Sequence, residues 1–229
     1  PMPIPTDRRL SRLRLLHLVS PSLPIGAFSY SQGLEWAVEC GWVADEASLL
    51  DWLANLMETS MRQLEVPLLA RLYQACAEND DRSLHYWSHY LMASRETREL
   101  REEEHNRARA LASLLPELGI RVPAHSLPLL KKCQLSGFAF AAEAWQLPLR
   151  DALEGYLWGW LENITLAGVK IIPLGQTAGQ RIIAELTVAV PDVVERGLLL
   201  DDDAIGASCT AQAIASSLHE TQYTRIFRS

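Results

Sequence analysis

Arg150-Asp-Ala-Leu-Glu-Gly-Tyr-Leu-Trp-Gly-Trp-Leu-Glu-Asn-Ile-Thr-Leu-Ala-Gly-Val-Lys170 is the stretch that decides the fold. Leu153, Leu157, Trp160, Leu161 and Ile164 recur every three or four positions, and Ile171 extends the pattern. That is the period of one helix face; a strand would alternate every second residue. The same spacing runs through Leu49, Leu53, Leu56, Met57, Met61 and Leu64, and again through Ile182, Ile183, Leu186 and Val190. Two-residue alternation is scarce. Even Arg181–Val190, strand-like in composition, fits the helical template better.

Punctuation sets the expected helix ends. The first helix covers about Thr6–Ser20 and stops at Pro21, and a short second one, about Ser31–Cys40, ends at Gly41. Asp45 caps a third helix, which reaches about Glu78 with a kink or break near Pro67. Asp81 caps a fourth, about Arg82–Ala93, and a charged fifth covers about Arg95–Leu115. Later helices cover about Leu129–Gln146, broken near Ser136–Gly137, then Arg150–Lys170, Gly175–Val190 and Ala204–His219. Pro173, Pro191 and the acidic turn Asp201–Asp203 separate the last three. With no linker and no internal repeat, the sequence predicts one all-α domain over residues 1–229. It is a bundle of about nine or ten helices, with a flexible start at residues 1–7.

Composition agrees with a globular core. The chain has 229 residues, 48% hydrophobic and 21% charged. A chain of that size buries about 70–75% of its unfolded surface. A net charge of −7 disfavours a nucleic-acid partner, since phosphate binding wants a basic face. The longest stretch without Asp, Glu, Lys or Arg, Leu15–Leu34, contains Pro21, Pro24 and several serines, so it is no membrane span. The N-terminus lacks a basic segment followed by an apolar core, which points to the cytoplasm. Cys40, Cys76, Cys133 and Cys209 are far apart, and the reading is buried thiols.

Enzyme signatures are missing. The chain has no phosphate-binding Gly-x4-Gly-Lys-Ser/Thr, no Gly-x-Gly-x-x-Gly, no Gly-x-Ser-x-Gly elbow and no His-Glu-x-x-His. His85-x3-His89 places two imidazoles on one helix face. They read either as two surface histidines or, with Glu103 or Glu104, as the metal site of a helical enzyme. His125 with Cys133, and His219-Glu220, are weaker metal pairs. The run Arg95–Glu104 reads first as a solvated helix face, with pairs Arg95–Glu99, Arg98–Glu102 and Arg101–Glu104. Asn163-Ile-Thr165 falls inside an expected helix and is set aside as a glycosylation site.

Three segments exceed what a helical core needs. Ser20–Glu35 is a hydroxyl-rich loop with Leu23, Ile25, Phe28 and Tyr30, which either pack over the helices or meet a partner. In Ala167–Gln180, Lys170 is the only charge between Glu162 and Arg181; it serves the helix C-terminus or a partner. The small residues there permit close backbone approach. The tail, Leu218–Ser229, mixes Tyr223, Ile226 and Phe227 with Arg225 and Arg228, residue types that anchor interfaces, and it packs in cis or on a partner.

Pro-Ile-Gly-Ala-Phe-Ser-Tyr-Ser-Gln-Gly-Leu-Glu35, Arg95–Glu104, Gly-Val-Lys170-Ile-Ile-Pro-Leu-Gly-Gln176 and His219-Glu-Thr-Gln-Tyr-Thr-Arg-Ile-Phe-Arg-Ser229 occur in that order. Together they resemble the urease accessory protein UreF family over nearly the whole chain, from residue 21 onward. The resemblance implies an all-helical homodimer without catalytic residues, cofactor or metal of its own. It implies a scaffold that binds a UreD (UreH) partner and through it recruits the GTPase UreG, delivering nickel to apo-urease. GTP chemistry would belong to that partner.

Carried over, His219, Tyr223, Arg225, Ile226, Phe227 and Arg228 form a UreD-docking tail, residues 219–229, with residues 222–229 mobile until bound. Lys170 and Gln176 lie near the surface that meets UreG, and Tyr30 and Glu35 belong to an N-terminal interaction region. The homodimer is expected from the resemblance together with the apolar Leu15–Leu34 stretch.

Overall fold

The structure, a computed structural model, describes residues 8–229; the expected flexible start at residues 1–7 lies outside them. The chain forms α1 (Arg8–Leu18), α2 (Leu34–Glu39), α3 (Glu46–Leu56), α4 (Val66–Glu78), α5 (Asp81–Ser94) and α6 (Arg98–Leu114). Then come α7 (Leu127–Leu130), α8 (Gln134–Ala144), α9 (Leu149–Ile171), α10 (Gln176–Thr187), α11 (Val190–Leu198) and α12 (Thr210–His219). No strand occurs among the described residues, so the fold is all-α as the periodicity requires. None of the described helices is long and apolar enough to cross a membrane.

The longest helix, α9, is central. It packs against α1, α2, α3, α4, α10 and α11 and buries Leu153, Leu157, Trp160, Leu161 and Ile164. Close approach depends on its small residues. A Cβ at Gly168 would sit 2.7 Å from Leu49 Cδ2, nearer than carbon atoms tolerate.

Helix ends depart from expectation where side chains compete for the capping role. Asp80, not Asp81, caps α5, accepting from Ser83 N–H. Thr97 caps α6 in the same way through Leu100 N–H, so that helix starts at Arg98 rather than Arg95. The break expected at Ser136–Gly137 falls at residues 131–133, between α7 and α8. Pro191 does not end a segment but sits in the first turn of α11, where its missing N–H costs nothing. The last helix begins at Thr210, after a loop that the sequence assigned to helix.

The break near Pro67 takes a particular form. Met57–Glu65 winds as a π-helix between α3 and α4. Pro67 has no N–H to offer the carbonyl of Gln63, one turn back. Gly206 N–H donates to that carbonyl instead, at 2.9 Å, tying the loop before α12 to the widened turn. Of the four cysteines, Cys133 and Cys209 are buried as expected, while Cys76 is half-buried and Cys40 exposed. Burial pushes the Cys76 thiol up to about 12, which keeps it protonated.

Gly168→Val should cost about 1–3 kcal/mol through overpacking against Leu49. For a chain of this size that lowers the melting temperature by roughly 3–10 °C. Thermal unfolding followed by circular dichroism checks it; an unchanged midpoint would mean that α3 and α9 have room to spare.

Candidate functional site

The tail and its seat are built from segments that are far apart in sequence. Residues 29–35 turn sharply into α2, with Gln32 and Gly33 both in the left-handed region, at φ of 54° and 86°. Only glycine fits the second position, because a Cβ at Gly33 would lie 2.7 Å from the backbone nitrogen of Ser216 on α12. That approach brings the end of α12 over the first turn of α2, where Glu35 is buried.

Past His219 the chain runs back across this turn. Ile226 N–H donates to Glu35 Oε1 at 2.6 Å, and Phe227 N–H to Glu35 Oε2 at 2.9 Å. Arg228 N–H donates to the Ser29 carbonyl at 2.9 Å, and Ser31 N–H to the Ser229 carbonyl oxygen at 2.6 Å. His219, 0% exposed, lies between two carboxylates: Nδ1 is 2.7 Å from Glu99 Oε2 and Nε2 is 3.2 Å from Glu35 Oε2. Both ring nitrogens face carboxylate oxygens. Arg225 pairs with the other Glu99 oxygen at 2.9 Å. Glu220 accepts from Arg98 N–H at 2.8 Å, at the exposed start of α6.

The tail expected to be mobile is therefore seated on the chain's own core. The reason is physical: the buried Glu35 carboxylate needs donors, and the tail's main chain supplies two. Phe227 is buried, while Tyr223 is fully exposed and Ile226 is 69% exposed. Ile214 and Leu218 on α12 add to the apolar surface left outside.

Below this seat α6 carries a second buried set of charges. Arg95 bridges Glu65 at 2.8 Å and Glu104 at 3.0 Å. Tyr156 O–H donates to Glu65, and Leu135 N–H to Glu104 at 3.0 Å. Arg107 pairs with Glu103 at 2.8 Å. The run read as a solvated face thus divides: Glu99, Glu103 and Glu104 point inward, while Glu96, Arg98, Arg101 and Glu102 are exposed. Arg98 and Glu102 do pair, at 3.9 Å. Arg95–Glu99 and Arg101–Glu104 do not, because Arg95 faces Glu65 and Glu104, Glu99 faces His219, and Arg101 donates to the Arg95 carbonyl. Burial pushes Glu104 up, but Arg95 and the Leu135 N–H outweigh it and hold the carboxyl below its ordinary range. For Glu103 burial wins over Arg107, and its carboxyl lies above that range.

The family model for UreF matches residues 43–187. A urease accessory protein UreF of Alcanivorax borkumensis is 50% identical, covering 94% of this chain and 97% of its own length. Those of Pseudomonas putida strain W619 and Alkalilimnicola ehrlichii are 49% and 45% identical, covering 96% and 98% of this chain and 98% of their own lengths. The chain belongs to the UreF family. The tail and residues 29–35 of its seat lie outside the stretch that the UreF model matches, and Glu99 lies inside it; the relatives span most of the chain.

Of the residues that the sequence nominated for UreF-type docking, the structure brings together Glu35, His219, Arg225, Ile226, Phe227 and the backbone of Arg228. Tyr30 is buried and lines the same groove as Arg225 and Phe227. Tyr223 stands clear of it. Lys170 and Gln176 are exposed at the end of α9 and the start of α10. His85 and His89 are exposed on α5, with ring centroids 6.0 Å apart, and Glu103 and Glu104 are engaged elsewhere. His125 pairs with Asp81 at 3.3 Å, and Cys133 is buried beside Glu104. Sequence reasoning missed Ser31, Gln32 and Glu99 as parts of the seat. One signal was available for α6: Leu100, Glu104, Ala108, Leu111 and Leu115 form a single helical stripe, which places Glu104 inside.

Arg95→Met should lower stability at pH 7 by about 3–5 kcal/mol, because it leaves Glu65 and Glu104 buried without a counter-charge. The sign follows from Glu104. Its carboxyl is held low in the native chain, so its contribution is present above the ordinary carboxylate range and fades as pH falls through the lowered value. In the variant protonation relieves the strain, so the gap to the native chain should narrow as the medium is acidified. Urea unfolding at a series of pH values reads this out; a gap that widens in acid contradicts the assignment.

Proposed function

We propose that this UreF-family chain is a non-enzymatic scaffold in urease maturation. It bridges a UreD/UreH-like protein and the GTPase UreG, and so serves nickel delivery to apo-urease in the cytoplasm. The family supports the accessory role. One observation carries the docking reading: the tail's main chain is clamped, yet Tyr223 and Ile226 point outward. An aromatic and a branched aliphatic residue held in water are what a partner buries. A partner that meets the tail as seated here would not bear its backbone ordering cost of about 1–2 kcal/mol per residue.

The same reasoning supports the homodimer, at a place that overlaps the suggested stretch only at its start. Leu18, Leu23 and Leu34 of the Leu15–Leu34 stretch are buried in the chain's own core. Leu10, Leu13 and Leu16 of α1 are exposed, and α1 is the face we assign to a second copy. Lys170 and Gln176, exposed and free of any core role, are assigned to the UreG-facing surface. A metal-dependent enzyme built on His85 and His89 has no support in the geometry, since no group of three His, Cys, Asp or Glu among the described residues could hold a metal.

The test is co-expression of tagged variants with UreD-like and UreG-like proteins. Tyr223→Asp with Ile226→Asp should weaken capture of the UreD-like protein by about 30-fold or more, equivalent to ~2 kcal/mol. Both side chains are exposed, so stability should stay within about 0.5 kcal/mol per site. Lys170→Ala should leave UreD capture intact and reduce UreG recruitment. Undiminished capture by the double variant would remove the tail from the docking surface.

A further inference from the structure

Behind the tail seat lies a partly open pocket of about 50 Å³, walled in part by Gln32, Glu103, Arg107, Gln134 and Trp160. Arg95 Nε, Arg107 Nε and Gln134 Oε1 are buried there and meet no protein partner. The Glu103 oxygens are already taken, by Gln32 and Arg107. Two N–H donors and one carbonyl acceptor therefore call for a ligand that both accepts and donates. Water does, and a volume near 50 Å³ takes a few molecules, since one needs roughly 10–15 Å³. A solute anion is disfavoured by the three carboxylates that share the space with two guanidinium groups.

Gln32 closes one side of this space. Its amide nitrogen reaches both Glu103 oxygens, at 3.1 and 3.2 Å, and its carbonyl accepts from Trp160 Nε1 at 2.9 Å. It also lines a smaller cavity of about 20 Å³ that extends to Tyr30. At φ 54° its backbone is in a region that side chains other than glycine rarely adopt. Something must hold it there, and the tail does so from both sides in sequence. Arg228 binds Ser29 and Ser229 binds Ser31 before it; Ile226 and Phe227 bind Glu35 after it.

We propose that the tail latches this cavity. Seated, it keeps Gln32 across Glu103 and leaves room for a few ordered waters on the arginines and Gln134. Unseated, it lets Gln32 leave the left-handed region and admits bulk solvent to Glu103 and Trp160. The latch is a property of the chain itself and holds whether or not the tail also meets a partner.

Hydroxyl-radical footprinting with mass spectrometry tests it on the full chain. Phe227→Asp unseats the tail and should raise Trp160 modification several-fold, while Trp87 on α5 stays at its native level. Gln32→Gly keeps the left-handed backbone but removes the amide; it should raise Trp160 modification while Phe227 stays protected. The idea is overturned if Trp160 remains at the native level in a Phe227→Asp chain that trypsin cleaves at Arg225. A rise at Trp87 equal to that at Trp160, or a native footprint in Gln32→Gly, overturns it equally.

Discussion

A carboxylate sealed from water must be met by donors, and much of this molecule's organisation answers that requirement at Glu35. Three groups converge on it: the N–H groups of Ile226 and Phe227, which donate to it, and the ring of His219, whose Nε2 lies 3.2 Å away. His219 in turn draws in Glu99, and Glu99 draws in Arg225. One line of charge thus joins the start of α2, the start of α6, the end of α12 and the tail. Removing any one member leaves another buried without its partner, the costly half of the asymmetry between made and unmade polar contacts.

Helix α6 carries this logic twice. Glu99 faces the tail, while Glu103 and Glu104 face the interior cluster around Arg95 and Arg107. The two sets meet through residues 29–35, where Ser31 holds the tail and Gln32 holds Glu103. Tail and interior are therefore parts of one polar framework set into an otherwise leucine-rich bundle. A framework of this kind suits a scaffold: it fixes where Tyr223 and Ile226 stand without spending those side chains on the core.

The fold was legible in the sequence because α-helical period survives local noise. Leu153 to Ile164 on α9 and Leu49 to Leu64 around the π-helix are buried where their spacing put them. Helix ends were less legible because two adjacent residues could each cap, as at Asp80 and Asp81. A proline also reads alike before, within or after a helix, as Pro67 and Pro191 illustrate. The charged run misled for a specific reason. Charges four apart satisfy a surface pairing rule, and nothing local reveals that Glu65 waits for Arg95 or His219 for Glu99. The tail's apolar character was plain from composition, but its seat was not, because the residues that hold it are more than 120 positions away.

The central claim, that Glu35 holds the tail through two consecutive main-chain donors, is tested most directly by amide hydrogen exchange of Ile226 and Phe227 in the isolated protein. The account predicts that both amides exchange far more slowly than those of a free peptide, and that Glu35→Ala removes this protection. Exchange at the free-peptide rate in the native chain would contradict it.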